Sequence, residues 1–199
     1  MMRIIKVFIL LMVFMTSTVV LAGDITLQQA QVNCIQMAYD EGEKINLYGD
    51  TWGQTAASIA FQESHCNHSA FRSGGVVVGD LNSEGRPRSL GVMQMQLKTA
   101  RYVNSKFPYL FKERYGNRIP SDEELTIDLL IDNRFAIRLG VYYFAYLLER
   151  KDGKWGDAIL AYNRGPTNTV DVNDYVRKVK DWRLIRIIPY LKGNYKVKG

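Results

Sequence analysis

Between Thr51 and Asn67 the chain reads TWGQTAASIAFQESHCN. Wound as a helix, this stretch puts Trp52, Ala56, Ile59 and Ala60 on one apolar stripe, at steps of three and four. The next position on that stripe is Glu63. A carboxylate arriving where a core residue is expected limits how the helix can pack, because burying an unpaired charge is costly. Either the helix ends here and Glu63 points into solvent beside Ser64 to Asn67, or Glu63 faces a cleft. In a cleft, partial desolvation would raise its pKa and equip it as a general acid. This stretch alone leaves both open.

The rest of the chain supplies helices for such a segment to pack against. Asp24 to about Leu47 has a helical pattern, and a turn at Tyr48-Gly49-Asp50 leads into the Glu63 helix, with Asp50 or Thr51 as its N-cap. Arg72 to Arg88 holds several glycines and reads as a loop, with room for a short strand or hairpin at Val76–Val78. Helical periodicity resumes after Gly91 through Met95, Leu97, Ala100 and Val103, and Phe107 to Pro120 is an aromatic and basic connector. Ser121 caps a helix with acidic residues in its first turn. Further helices run from Asn133 to Glu149, from Trp155 to Arg164 with Gly165-Pro166 ending it, and from Asp174 to Ile188. With little strand signal, no repeat and no linker, the expectation is one mainly α domain over residues 23–199, with a Gly-rich loop or small β-hairpin at its side.

The first 22 residues are set apart. Arg3 and Lys6 precede an almost wholly apolar run from Val7 to Leu21, and Ala22 closes a signal-peptide cleavage pattern. The run falls short of the roughly 20 residues that span a bilayer. It is therefore read as a cleaved export signal, with membrane contact only during export and a periplasmic or secreted mature protein. Removing it lowers the formal charge from +6 to +4, through the loss of Arg3 and Lys6. That excess suits an anionic envelope. No nucleic-acid signature accompanies it, and the Lys- and Arg-rich stretch from Arg177 to Lys198 reads as a solvated helical face and a frayed end.

An oxidising compartment gives the two cysteines a choice. Cys34 shares a helix face with Leu27, Ala30 and Met37, and Cys66 follows Glu63 by three residues. They are either two buried thiols or a disulfide stapling the first helix to the end of the Glu63 helix. Closing a loop of about 30 residues would stabilise the fold by roughly 3–4 kcal/mol. His65, Cys66 and His68 also cluster, but without a distal ligand they fall short of a zinc signature.

Three short clusters carry candidate chemistry: Glu63-Ser64, Gly91-Val92-Met93-Gln94 and Ala161-Tyr162-Asn163-Arg164-Gly165. Each alone is weak. Their order resembles that of the lytic transglycosylases with a soluble-lytic-transglycosylase (SLT), lysozyme-like domain. In that family a catalytic Glu-Ser closes a helix and is followed by Gly-x-Met-Gln and Ala-Tyr-Asn-x-Gly, and an intermediate helix carries a Gly and a Tyr similar to Gly140 and Tyr143. The likeness covers roughly Gln54 to Trp182. Two departures stand out. The link holding Gly74–Arg88 is longer than usual, and Asp132-Asn133 with Ala136-Ile137 replace Asp-Pro and Asn-Ile, so a polar contact behind the site is expected to be absent.

The resemblance implies a lysozyme-like fold and cleavage of the β-1,4 bond between N-acetylmuramic acid and N-acetylglucosamine of peptidoglycan. Cleavage would proceed without water, leaving a 1,6-anhydro-muramyl end, and with no cofactor or metal. Glu63 would act first as acid and then as base. Tyr162 would hydrogen-bond or pack near Glu63, Ser64 and Gln94 would contact the sugar, and Met93 would floor it. Asn163 and Tyr143 would complete the cleft. Small exported members often serve an envelope-spanning secretion, pilus or conjugation apparatus. Two other readings remain: a goose-type lysozyme, in which Asp80 and Glu84 would position water, and a non-catalytic peptidoglycan-binding assembly protein.

Overall fold

The computed structural model describes residues 24–66, 77–165 and 173–198; the apolar N-terminal run read as an export signal, His68 and the glycines at 74 and 75 lie outside them. The fold is mainly α. Strand β1 (Ile25–Gln28) leads into α1 (Gln29–Glu43), and the hairpin β2 (Asn46–Leu47) and β3 (Asp50–Thr51) leads into α2 (Gly53–Ser64). After an irregular stretch come α3 (Leu97–Lys106), α4 (Tyr109–Tyr115), α5 (Asp122–Ile131), α6 (Asn133–Arg150) and α7 (Trp155–Arg164). Helix α8 (Asn173–Trp182), a π-helical turn (Arg183–Ile187), α9 (Ile188–Leu191) and strand β4 (Tyr195–Lys198) finish the chain.

Helix α2 is the centre. Every residue from Thr55 to Phe61 is buried, so the single apolar stripe of the sequence is in fact a helix enclosed on all sides. Small residues make this possible. Ala56, Ala57 and Ala60 let α1, α6 and α8 approach closely, and Ser58 satisfies its hydroxyl inside the helix by donating to the Gln54 carbonyl at 2.6 Å. Where α1 ends and α2 begins, glycine meets glycine: a Cβ on Gly42 would lie 2.7 Å from the Gly53 Cα. One contiguous core runs from Leu27 to Tyr190 around this helix.

Several local expectations hold in altered form. The hairpin turn places Tyr48 and Gly49 at φ 57° and 76°, the paired positive dihedrals of a tight two-residue turn, so Asp50 and Thr51 are strand residues and Trp52 occupies the N-cap. Ser121 caps α5 with a reciprocal box to Glu124. Asp132 caps α6 through the Phe135 amide and also pairs with Arg114, so it keeps a polar role despite the departure noted around it. The connector after Phe107 contains α4, whose Leu110, Phe111 and Tyr115 are buried. The tail is not frayed. Tyr195 to Lys198 pair in parallel with Ile25 to Gln28, and the first helix accordingly starts after a strand.

Helix α2 stops abruptly. His65 and Cys66 both adopt left-handed conformations (φ 50° and 58°), and their amides return to the carbonyls of Phe61 and Ala60. Cys66 is bonded there to Cys34 of α1, with 5.4 Å between Cα atoms. That bond removes Cys66 as a thiolate ligand for any metal.

Candidate active site

The end of α2, the turn after Gly91, the start of α3, the middle of α6 and the end of α7 converge on one cleft of about 460 Å³. Glu63, Gln94, Tyr143, Tyr162 and Asn163 line it together. Two other candidates do not. Ser64 is buried and bonds back to the Ala60 carbonyl at 3.1 Å, and Met93 is 0% exposed beneath the cleft rather than forming its floor. The apolar surface that does face the cleft belongs to Met95.

The Gly91–Met95 turn explains its own residue types. Leu90 and Met95 exchange both backbone hydrogen bonds at 2.9 Å, closing a tight loop between them. Gly91 sits at φ 69°, and a Cβ there would fall 1.9 Å from the Leu129 carbonyl oxygen, so both conformation and space demand glycine. Met93 plugs the turn onto α6, because the Gly140 position leaves room for its side chain; a Cβ on Gly140 would lie 2.5 Å from the Met93 Cε. Gln94 is then held facing the cleft at φ 48°, its Nε2 donating to the Gly91 carbonyl at 2.9 Å and its Oε1 accepting from Ser89 at 2.8 Å. Gly91→Ala should therefore cost about 3 kcal/mol or more, from left-handed strain plus a backbone clash. Thermal unfolding should fall by roughly 6–12 °C, and a variant melting with the wild type would show that the turn tolerates a side chain.

Glu63 lies in the last turn of the buried helix, one residue before its end, so its carboxyl is cut off from water on the protein side. Burial pushes it up to about 7, and a hydrogen bond donated by the Tyr175 hydroxyl to Oε1 pulls the other way without cancelling that effect. Tyr162 does not bond Glu63. Its hydroxyl donates to the Met93 carbonyl at 3.1 Å and approaches the Met95 sulfur at 3.8 Å, so its place beside Glu63 is one of packing. Its ring tilts against that of Tyr143 at 5.3 Å between centroids. Burial and the neighbouring Glu63 both push the phenols of Tyr162 and Tyr175 well above their usual range, and burial lifts Tyr143 to about 12, so all three stay neutral beside the carboxyl.

Tyr175 is the contact that reading the sequence missed. With Val179 it forms the buried face of an amphipathic α8, a pattern indistinguishable from ordinary core. Among the described residues lining the cleft, Glu63 is the sole carboxylate. Asp80 and Glu84 lie instead on a hairpin-like excursion held by the Gly79–Ser89 and Asp80–Arg88 backbone bonds, both exposed, with Glu84 paired to Arg86. The excursion still touches the site at its base, where Ser89 lines the cleft. Chemically, the arrangement offers one carboxyl able to give up or take a proton near neutral pH, in a narrow cleft walled by aromatic rings and amides.

A family model described as the transglycosylase SLT domain matches residues 42–185. No curated protein matches the chain. Among solved structures, the chain is similar to the X-ray structure of an inactive mutant of the lytic transglycosylase Slt from Pseudomonas aeruginosa. The two share 19% identity over 82% of this chain and 24% of that one, with a TM-score of 0.45. The chain thus spans about a quarter of that protein's length.

Proposed function

The chain belongs to the transglycosylase SLT domain family, and from that premise we propose that it is a lytic transglycosylase of peptidoglycan, acting outside the cytoplasm, with Glu63 as its sole acid and base. The supporting observation is a lone carboxyl, raised to about 7, in a cleft with no second carboxylate among the described lining residues. Most glycosidases divide acid and nucleophile or base between two carboxyl groups. Here one group must do both jobs, and a pKa near neutrality suits both directions.

In the proposed reaction the Glu63 proton passes to the bridging oxygen as the bond from muramic C1 to that oxygen breaks. The positive charge at C1 is met by the substrate's own N-acetyl carbonyl, the substrate assistance known among glycosidases. The Glu63 carboxylate then accepts the proton of the muramyl 6-hydroxyl as its oxygen bonds C1. Atoms and charge balance without water. The Tyr175 hydroxyl occupies Oε1, which leaves Oε2 for the moving proton and steadies the carboxylate in the second half.

Mass spectrometry of digested peptidoglycan tests this. Anhydro-muramyl ends are expected; reducing muramic ends would mark a water-adding lysozyme instead. Because the free enzyme needs Glu63 protonated, kcat/KM should fall as pH rises through about 7. Tyr175→Phe removes the bond that favours the carboxylate, so this alkaline limb should move upward while kcat drops about 10- to 100-fold. An unmoved limb would detach Tyr175 from the titration.

A further inference from the structure

Helix α8 keeps Tyr175 and Val179 inward, and an unbroken α-helix would next turn Arg183 and Arg186 to the core. The π-helical turn prevents this. It takes up one extra residue, the Ile188 amide reaching back to the Arg183 carbonyl, and Ile187 becomes the buried position instead. Both arginines stay near the surface, Arg183 donating to Gln54 at 2.8 Å and Arg186 to the Ile185 carbonyl at 3.4 Å. The same re-phasing leaves the adjacent Leu184 and Ile185 53% and 49% exposed, with Leu191 exposed on α9.

This apolar pair lies within a strongly basic stretch. From Trp182 to Gly199 there are five basic residues and no acidic one, so these residues hold the whole positive excess of the chain beyond Ala22. Among the described residues, Arg186, Lys192 and Lys198 have no acidic partner. Arg186 and Lys198, with Trp182, also line a cavity of about 250 Å³ that has no acidic residue among its described lining.

Cations set among bared aliphatic side chains fit one kind of surface. A nucleic acid offers phosphates but nothing to cover Leu184 and Ile185. The face of an anionic bilayer offers both, phosphates for arginine and lysine and acyl carbon just beneath for leucine and isoleucine. Among the described residues no helix is long and apolar enough to cross a membrane, so such contact is with one leaflet.

We propose that the segment from Arg183 to Lys192, together with Lys198, docks on an anionic membrane surface. A lipid phosphate is held by Arg186 and Lys198, and Leu184 and Ile185 enter the acyl boundary. This role is separate from the reaction proposed at Glu63 and stands or falls without it.

The experiment is co-sedimentation of the full chain with vesicles of phosphatidylcholine alone, or of equal parts phosphatidylcholine and phosphatidylglycerol. Residues 1–22 bring an apolar run and two cations of their own, so the deciding quantity is the difference between wild type and variants that share them. Wild type should prefer the anionic vesicles. Leu184→Ser with Ile185→Ser should weaken that binding by about tenfold. Lys192→Gln with Lys198→Gln should weaken it by about 30-fold, near fivefold for each cation. Lys106→Gln with Lys112→Gln removes equal charge from α3 and α4 and should bind as wild type. All these side chains are exposed, and unchanged thermal melting confirms that each variant is folded. Equal binding to both vesicles, wild-type binding by the Leu184 and Ile185 variant, or equal weakening by the α3 and α4 pair overturns the proposal. Inorganic phosphate should displace the protein no better than chloride at matched ionic strength; selective displacement would mark a pocket for free anions and overturn it too.

Discussion

Replacing Glu63 with glutamine is expected to slow glycan cleavage by about a thousandfold, the scale of a lost general acid, while leaving the fold intact and making it more stable in alkaline solution. The activity loss follows from the cleft having no other carboxylate among its described lining residues to take over the proton. The fold should survive because the glutamine carbonyl can still accept the Tyr175 hydroxyl. The stability change follows from linkage. A carboxyl near 4.5 in the unfolded chain and about 7 when folded holds its proton in the native state between those values. Wild-type stability is thus fullest below the lower value and is lost as pH rises through the upper one, by about 3 kcal/mol in total. The glutamine protein has no such slope. Thermal melts of both proteins at about pH 5 and about pH 8 read the difference. Turnover within tenfold of wild type, or parallel melting slopes, would remove Glu63 from its assigned place. A glycan-binding protein without catalysis would show no cleavage by wild type either.

The second large effect is expected on cutting the Cys34–Cys66 bond. The two cysteines are 32 residues apart, and a link closing such a loop is worth about 3–4 kcal/mol in the chain-entropy treatment. Reduction, or Cys34→Ser, should lower the melting temperature by roughly 6–16 °C. The site should feel it too, since His65 and Cys66 are turned into left-handed conformations just beyond Glu63, which non-glycine residues adopt only under constraint. Activity measured well below the melting point should therefore fall on reduction. Unfolding unmoved by reductant would show that the bond contributes nothing.

What could be read from the sequence was whatever is local. Ser121 and Glu124 cap α5 because a capping box needs only residues three apart, and Gly165 after Arg164 marks the end of α7 for the same kind of reason. The anomaly at Glu63 was legible because a charge on an apolar stripe is visible without a structure. Contacts between distant segments were not. Ser64 and Met93 have the right types beside the right neighbours, yet one bonds back into its own helix and the other serves as a plug against Gly140. No period distinguishes a plug from a floor. Tyr175 sits among core residues and differs from them only by a hydroxyl whose partner is 112 positions away. Helix α4 is too short for its apolar spacing to declare a period.

The parallel pairing of β1 with β4 has a consequence for the order of assembly. Leu27 is buried in the core, but the strand carrying it pairs with a segment far along the chain, Leu27 standing opposite Val197. Closing so long a loop costs entropy before any contact repays it. The first described strand must therefore wait while the helices between collapse, and docks last, as the latch on a body already formed.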